Sequence, residues 1–312
     1  MKEESADIAK NVLWKGILRM SGELGFAACG CAMIEPLGGS IEEERYLEAE
    51  AEGHFGKMDY LKRNVDKRMD PSLLLSDAKS VVVFLAPFSS GGPCTTSDGL
   101  KISEFALGLD YHTVIKEKLY RIASFIEETS GEKKSCRVFT DSAPVMERAW
   151  AIRAGLGFIG KNNFLISPTA GIKNFIGVII TKSVLPYSDK IVPNGCGQCT
   201  RCLEACSQKA LYAPFKIDAS KCLSYKTIEA PAEVADRGRT DWIFGCDDCM
   251  DACPYNRFNK AGWMEFSLNR KFLEGCTKDY WKVISEEEFK EQFKTSPLFR
   301  AGLEKLRKNI KQ

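Results

Sequence analysis

CGQCTRCLEACSQKAL, residues 196–211, places four cysteines within eleven residues. Their spacing, Cys196-x2-Cys199-x2-Cys202-x3-Cys206, is the run that wraps a cubane 4Fe-4S cluster. In two-cluster ferredoxins the fourth cysteine of such a run reaches across to the other cluster, so the stretch predicts a second cluster. Its ligands are found downstream. FGCDDCMDACPYN, residues 244–256, contains Cys246-x2-Cys249-x3-Cys253-Pro254, the same run without its first cysteine. KCLSYK supplies a replacement, Cys222. Eight thiolates are what two cubane clusters require. Crossed ligation assigns Cys196, Cys199, Cys202 and Cys253 to one cluster, and Cys206, Cys222, Cys246 and Cys249 to the other.

Zinc sites built on four cysteines also use C-x2-C pairs, but the x2-x2-x3 rhythm and the Cys-Pro step favour iron–sulfur. Ser207 stands where proline commonly follows the fourth cysteine, which touches the loop and not ligation. Thirteen cysteines in all would also suit a disulfide scaffold, yet such scaffolds are small and secreted. Cys29, Cys31, Cys94, Cys136 and Cys276 lack metal spacing and are expected to be buried small hydrophobes.

The chain has 312 residues, enough for two domains and a substantial core. MKEESADIAKNVLW at the start is charged and carries no apolar run, so no secretory signal is expected. The longest apolar runs, 81–86 and 175–180, are far too short for a membrane span. A reducing, cytoplasmic compartment and no membrane partner are therefore expected. A net charge of +2 argues against coating nucleic acid by bulk electrostatics and permits a local basic patch. FRAGLEKLRKNIKQ, residues 299–312, holds five Lys/Arg in fourteen residues and reads as a basic helix with a solvated charged face.

Residues 4–30 read as an amphipathic helix followed by a Gly-containing break, and 41–63 have helical apolar spacing. AKSVVVFLAP, residues 78–87, is a β-branched run bounded by turn formers, the pattern of a buried strand. GGPCTTSDG, 91–99, is a loop. Residues 110–129 are helical, 136–140 and 175–181 are strands, and Pro144 opens a helix that stops at Gly155. Strands alternating with helices predict an α/β domain to residue 190. Pro186, Pro193 and Gly195 mark a hinge into a ferredoxin-like part over 191–265, and 266–312 forms a helical segment packing back.

Gly155-x-Gly157-x-x-Gly160 matches the dinucleotide fingerprint, which has meaning only between a strand and the helix it feeds. Here it follows a helix and runs into Lys161-Asn-Asn-Phe, so the glycines are expected to serve a tight path beside a ligand or another backbone. In VFTDSAPVMERAW, Asp141 follows a strand and precedes a helix, where ligands dock on α/β sheets. The competing reading makes Asp141 or Ser142 the cap of that helix. A proton donor near neutral pH needs its carboxyl raised, and Phe139, Ala143, Pro144 and Val145 are apolar neighbours that would raise it.

DSAPVMERAWAIRAGLGFIGKNNFLIS (141–167), the first cysteine run, CLSYKTIE (222–229) and DWIFGCDDCMDACPYNRF (241–258) occur in this order. Together they resemble the epoxyqueuosine reductase family, and the likeness runs from MDYLKRN (58–64) to SPLFRAGLEKLRKNI (296–310). The resemblance implies an N-terminal α/β cobalamin-binding domain with a ferredoxin-like domain carrying two 4Fe-4S clusters. It implies an oxidoreductase that turns epoxyqueuosine in tRNA into queuosine and water, fed by an external low-potential electron donor. By motif position Asp141 is the implied proton donor. Arg63, Lys161, Asn162, Asn163, Ser224 and Asp247 are implied corrinoid contacts. Lys226, Arg237 and Arg239 are expected near tRNA phosphates.

Two features depart from easy expectation. The chain has two histidines and no D-x-H-x-x-G motif, since Asp110-Tyr-His112-Thr-Val-Ile lacks the glycine. A corrinoid here is not expected to take a histidine ligand. Glu104 stands where the family leads one to expect a basic residue, which removes a phosphate or corrinoid contact there. Two other readings share the cofactors. A reductive dehalogenase would use the same corrinoid and clusters on organohalides, usually with an export signal. A two-cluster electron carrier would leave Asp141 and the GKN segment without a task.

Overall fold

Ser80–Pro87 is buried at every position because it is a central strand with helices on both faces. A computed structural model describes residues 2–231, 238 and 240–310, with side chains from residue 8 onward. Four strands form the main sheet: β1 (Ala28–Met33), β2 (Ser80–Pro87), β3 (Cys136–Phe139) and β4 (Asn174–Thr181). They run in the order β1-β2-β4-β3, antiparallel throughout. The sheet thus differs from the parallel one that strand–helix alternation usually means, because the chain reverses direction across each helical excursion. The β2–β4 register, Ser80↔Thr181 to Pro87↔Asn174, is unbroken.

Side chains alternate across a strand, and β2 divides its residues accordingly. Val82, Phe84 and Ala86 face helices α1 (Lys2–Glu23) and α2 (Tyr111–Ser130) through Leu13, Ile17, Ile115, Leu119 and Ile122. Val81, Val83 and Leu85 face α3 (Glu147–Arg153), where Trp150 is fully buried. Each such buried large apolar side chain contributes roughly 1.5–3 kcal/mol. Asp110 caps α2 by accepting from the His112 N–H at 2.9 Å, and Gly131 ends it at φ 73°.

The first helix breaks at a glycine-containing turn, as expected, with Gly25 at φ 85°, but a strand and not more loop follows. The helix ends at Glu23, and ACGCAM, weak in intrinsic strand preference, becomes β1 by pairing with β2. The 41–63 helix stops short, at Ala51. The G-x-G-x-x-G glycines serve backbone proximity, as expected: Gly155 has φ 74°, and a Cβ on Gly157 would lie 2.2 Å from the Ile166 carbonyl.

A third core joins Ile102 and Leu107 to Ile243 and Phe244 and to the C-terminal Trp281, Phe293 and Leu306. Trp242–Phe244 pairs in parallel with Lys101–Ile102, drawing the cysteine-rich part against the sheet domain. The C-terminal helix Leu303–Ile310 departs from its expected solvated basic face. Lys305 is 8% exposed and donates to the Ala230 carbonyl at 2.5 Å. Arg307 donates to the carbonyls of Trp281 and Lys282 at 2.8 and 3.1 Å. These cations satisfy backbone carbonyls and pin the helix. No described helix is long and apolar enough to cross a membrane.

Candidate active site

Asp141 sits in the turn between β3 and α3 with φ 57°, a left-handed conformation that aspartate tolerates better than most residues. It does not cap the helix: α3 starts after Met146 with no side-chain cap, and the Asp141 carboxylate turns the other way. Its Oδ2 accepts from Tyr111 Oη at 2.8 Å and lies 3.0 Å from His112 Nε2. The Asp141 backbone N–H donates to Glu147. His112 Nδ1 lies 2.7 Å from Asp110. The Asp141 side chain is 52% exposed, yet it stands in a recess where surrounding protein displaces much of its water.

That loss of water alone would raise the Asp141 carboxyl. Hydrogen bonds from His112 and Tyr111, with the charges of His112 and Arg300, outweigh it and hold the group below the ordinary carboxylate value. The expected apolar lift is therefore corrected. Phe139 and Val145 point into the core on the far side of the turn, and the carboxylate faces a cation and a phenol. Protons are held next door instead. Burial disfavours the His112 imidazolium, but the hydrogen bonds and charges of Asp110 and Asp141 raise it to about 9. Burial and then the Asp141 charge push Glu147 up to about 8.

The eight cysteines gather as two groups. Burial, then Cys196 among the neighbouring thiols, raises Cys202; Cys253 is raised by burial and by Cys196, Cys202 and Cys199. In the other group burial and Cys206 raise Cys222, and burial with Cys222, Cys206 and Cys202 raises Cys249. Cys246 is raised by burial and stands beside Cys249. Cys202 thus adjoins the second group, so the two groups are neighbours. Backbone N–H groups of Ser224 and Tyr225 point at the Cys222 sulfur, and that of Tyr255 at Cys253, the kind of bond that tunes a cluster potential. Among the described residues no three His, Cys, Asp or Glu side chains close on a single-ion site.

The implied corrinoid contacts separate into struts and open groups. Lys161 Nζ donates to the carbonyls of Gly197 and Cys199 at 2.7 and 3.0 Å. Asn162 is 3% exposed and donates to the Cys249 carbonyl at 3.2 Å. Asp247, also 3% exposed, accepts from Ser103 Oγ and, at 2.7 Å, from the Glu104 N–H. These three brace the cysteine loops from inside. Asn163 differs, because its Nδ2 is buried and unpartnered. Arg148, which donates to the Asn163 carbonyl, is an exposed residue that burial nonetheless pushes down, so it lines a recess of the protein. Arg63 is exposed and Ser224 half-buried. Lys226 donates to Gln208 at 3.2 Å beside Cys222. Arg237 and Arg239 lie outside the described residues.

Glu104 is fully buried and pairs with Lys173 Nζ at 2.5 Å; Lys173 also donates to Asp251 at 2.7 Å. Glu104 accepts as well from the Ser90 and Gly92 N–H groups. The residue that departs from the expected basic type is thus an internal tie between the sheet domain and the Cys249–Cys253 segment. Burial would raise Glu104, but Lys173 and the two amides hold it below the ordinary value. Its contribution is present above the unfolded carboxylate value and is lost as pH falls through the lowered one. Glu104→Ala leaves Lys173 short of one partner and two amides without an acceptor. It is expected to destabilise the chain by about 3–5 kcal/mol, with Glu104→Gln milder, as read by thermal denaturation under argon.

Tyr111, His112 and Glu147 were not legible as site residues. The only signal was Asp110-Tyr-His112 itself, which makes no metal motif and gains its meaning from Asp141 across the fold.

Several known proteins are similar. The profile described as "Epoxyqueuosine reductase QueG, DUF1730" matches residues 68–142, and that of a "4Fe-4S double cluster binding domain" matches 195–256. The epoxyqueuosine reductase of Cyclobacterium marinum is 39% identical over 306 residues, covering 94% of each chain. That of Cellulophaga algicola is 40% identical over 292 residues, 92% of this chain and 93% of its own. A crystal structure of epoxyqueuosine reductase with an epoxyqueuosine-modified tRNA-Tyr stem loop superposes with a TM-score of 0.80 at 27% identity, over 95% of this chain and 79% of that one.

Proposed function

The chain belongs to the epoxyqueuosine reductase family, and on that premise we propose that it reduces epoxyqueuosine at the tRNA wobble position to queuosine, using cobalamin and two 4Fe-4S clusters. The observation that carries the proposal is the recess itself. The GKNN segment bonds to the cysteine loops through Lys161 and Asn162 and to Arg148 through the Asn163 carbonyl, and Arg148, Asp141 and Ser142 are exposed although protein surrounds Asp141 and Arg148. Cys196, Cys199, Cys202 and Cys253 hold one cluster, and Cys206, Cys222, Cys246 and Cys249 the other. When bound, the clusters and the corrinoid supply two electrons and a metal-centred reductant.

The residues fit a corrinoid on two counts. The orphaned Asn163 amide offers a donor to a ligand rich in amide acceptors. His112 is engaged on both ring nitrogens, to Asp110 and Asp141, and is not free to ligate its metal. Asn163, Arg148 and Ser142 are the residues we assign to the corrinoid, with Arg63 and Ser224 as further contacts, while Lys161, Asn162 and Asp247 brace the cysteine loops behind them. Asp141 supplies the proton. Opening the epoxide would otherwise release an alkoxide, a poor leaving group, so an acid beside the breaking C–O bond is required. Arg300, 54% exposed, pairs with Glu229 at 3.0 Å while its charge reaches Asp141. We assign it to a tRNA phosphate, together with Lys226 and with Arg237 and Arg239, which lie nearby in sequence to Glu229. A low-potential donor in the reducing cytoplasm completes the supply of electrons.

Loading tests the cofactor half. The chain, purified without oxygen and mixed with hydroxocobalamin, should retain about one corrinoid per chain on gel filtration. Asn163→Ala should weaken retention roughly 2- to 10-fold, the worth of one hydrogen bond. Intact clusters with no retained corrinoid would contradict the proposal.

A further inference from the structure

Forming an alkene and water from an epoxide consumes two electrons and two protons. The electrons belong to the reductant, but the protons must come through the protein. Asp141 carries its carboxyl in a form biased toward the anion, so a donor behind it has to reload it. The geometry supplies one. Asp110 takes the Nδ1 side of His112 at 2.7 Å, which turns Nε2 toward Asp141 Oδ2 at 3.0 Å. The ring is 19% exposed against 52% for Asp141, so the imidazole lies on the sheltered side of the pair and the carboxyl on the cleft side.

The ring is also held in orientation. His112 stacks on Tyr111 at 4.1 Å between centroids and 26° between planes, and Tyr111 stacks on Phe175 in β4 at 4.2 Å and 7°. Phe175 packs edge-on against the fully buried Phe266. Tyr111 donates to the same Asp141 oxygen at 2.8 Å, which fixes the carboxyl as the imidazole is fixed.

We propose that His112 is the proton reservoir of this site, a positioning residue that passes its Nε2 proton to Asp141 Oδ2 as Asp141 protonates the departing epoxide oxygen. The inference rests on the reading of Asp141 as the acid of this family's reaction. The first C–O bond breaks with both its electrons going to oxygen as two electrons from the reductant enter at carbon, the oxygen takes the Asp141 proton, and the imidazolium becomes neutral imidazole. That electron pair then forms the alkene as the second C–O bond breaks, and the departing oxygen takes a second proton, from Asp141 reloaded through His112, to leave as water. The titratable groups facing the pair come from four directions. Asp110 and Tyr111 lie at the start of α2, Glu147 and Arg148 at the start of α3, Tyr60 in the Asp59–Lys62 turn, and Arg300 in the C-terminal segment near both Asp110 and Asp141. The hydrogen bonds and charges of Asp110 and Asp141 outweigh the burial of His112, consistent with an imidazolium that persists through neutral pH.

The chain's two histidines make the test direct. In 15N-histidine-labelled, cofactor-free chain, NMR should show His112 still protonated at pH 7 and titrating near 9. Asp141→Asn and Asp110→Asn should each move that midpoint down. In loaded enzyme, His112→Gln should slow single-turnover conversion about 10²-fold at neutral pH and move the alkaline limb of the rate profile to lower pH. KM for tRNA and the corrinoid spectrum should stay unchanged. A His112 that is neutral at pH 7, or one indifferent to Asp141→Asn, would overturn the proposal even if the wild type converts its substrate. An unreactive wild type with the expected titration would instead count against the functional reading and leave the pair intact. Should His112→Gln fail to fold, Asp110→Asn, which keeps the size of the partner, is expected to shift the same limb.

Discussion

Asp141→Asn is expected to lower turnover of epoxyqueuosine-bearing tRNA by about 10²- to 10⁴-fold, the range lost when a general acid is removed, with both clusters and the corrinoid retained. Asparagine is the informative replacement because it is nearly isosteric and tolerates the φ of 57° that this turn imposes. Tyr111 can still donate to the amide oxygen, so the network at 2.8 Å need not collapse. What disappears is a titratable proton and the negative charge that sustains the His112 imidazolium. The lowered carboxyl of Asp141 also ties stability to pH. Its contribution is present above the unfolded carboxylate value and is lost as pH falls through the lowered one. Asp141→Asn should therefore flatten the acid side of the stability profile as well. Loss of the cofactors in this variant would instead make Asp141 a structural residue.

Cys222→Ala is expected to abolish turnover and to remove about half of the iron, close to four of eight atoms per chain. Cys222 is the proposed ligand least visible in the motif, since it stands apart from both cysteine runs. Its sulfur lies near Cys206, faces the Ser224 and Tyr225 amides, and adjoins Cys249. The cluster of Cys196, Cys199, Cys202 and Cys253 should survive and still give its reduced electron paramagnetic resonance signal. Cys276→Ala is the matched control. That thiol is buried in the third core beside Cys94, away from either group, and its removal should leave the iron content whole. Full iron in Cys222→Ala, or loss of both clusters, would refute the crossed assignment.

The legible parts of this protein are those whose chemistry is local in the chain. Cysteine spacing within eleven residues carries the cluster reading, because one loop supplies most ligands of one cubane. Asp141 stands out because strand, turn and helix follow each other directly. Its neighbourhood is not local: His112 lies 29 residues away on another element. No pattern in either segment states that the two side chains meet. The apolar residues beside Asp141 in sequence point to the opposite side of the turn, so the direction of its pKa shift reversed. Glu104 looked misplaced for the same reason. Its partner Lys173 is 69 residues away, and burial is not written in either residue. The strand ACGCAM escaped because its small residues carry little preference of their own, and pairing with β2 decides the matter.

The most direct test of the account is conversion of the natural substrate. The chain is purified without oxygen, loaded with cobalamin, and given a strong reductant and tRNA bearing epoxyqueuosine; the nucleosides are then weighed by mass spectrometry. The account predicts loss of one oxygen atom from epoxyqueuosine, dependent on cobalamin and absent in Asp141→Asn. Unchanged epoxyqueuosine, with clusters and corrinoid demonstrably bound, would contradict it.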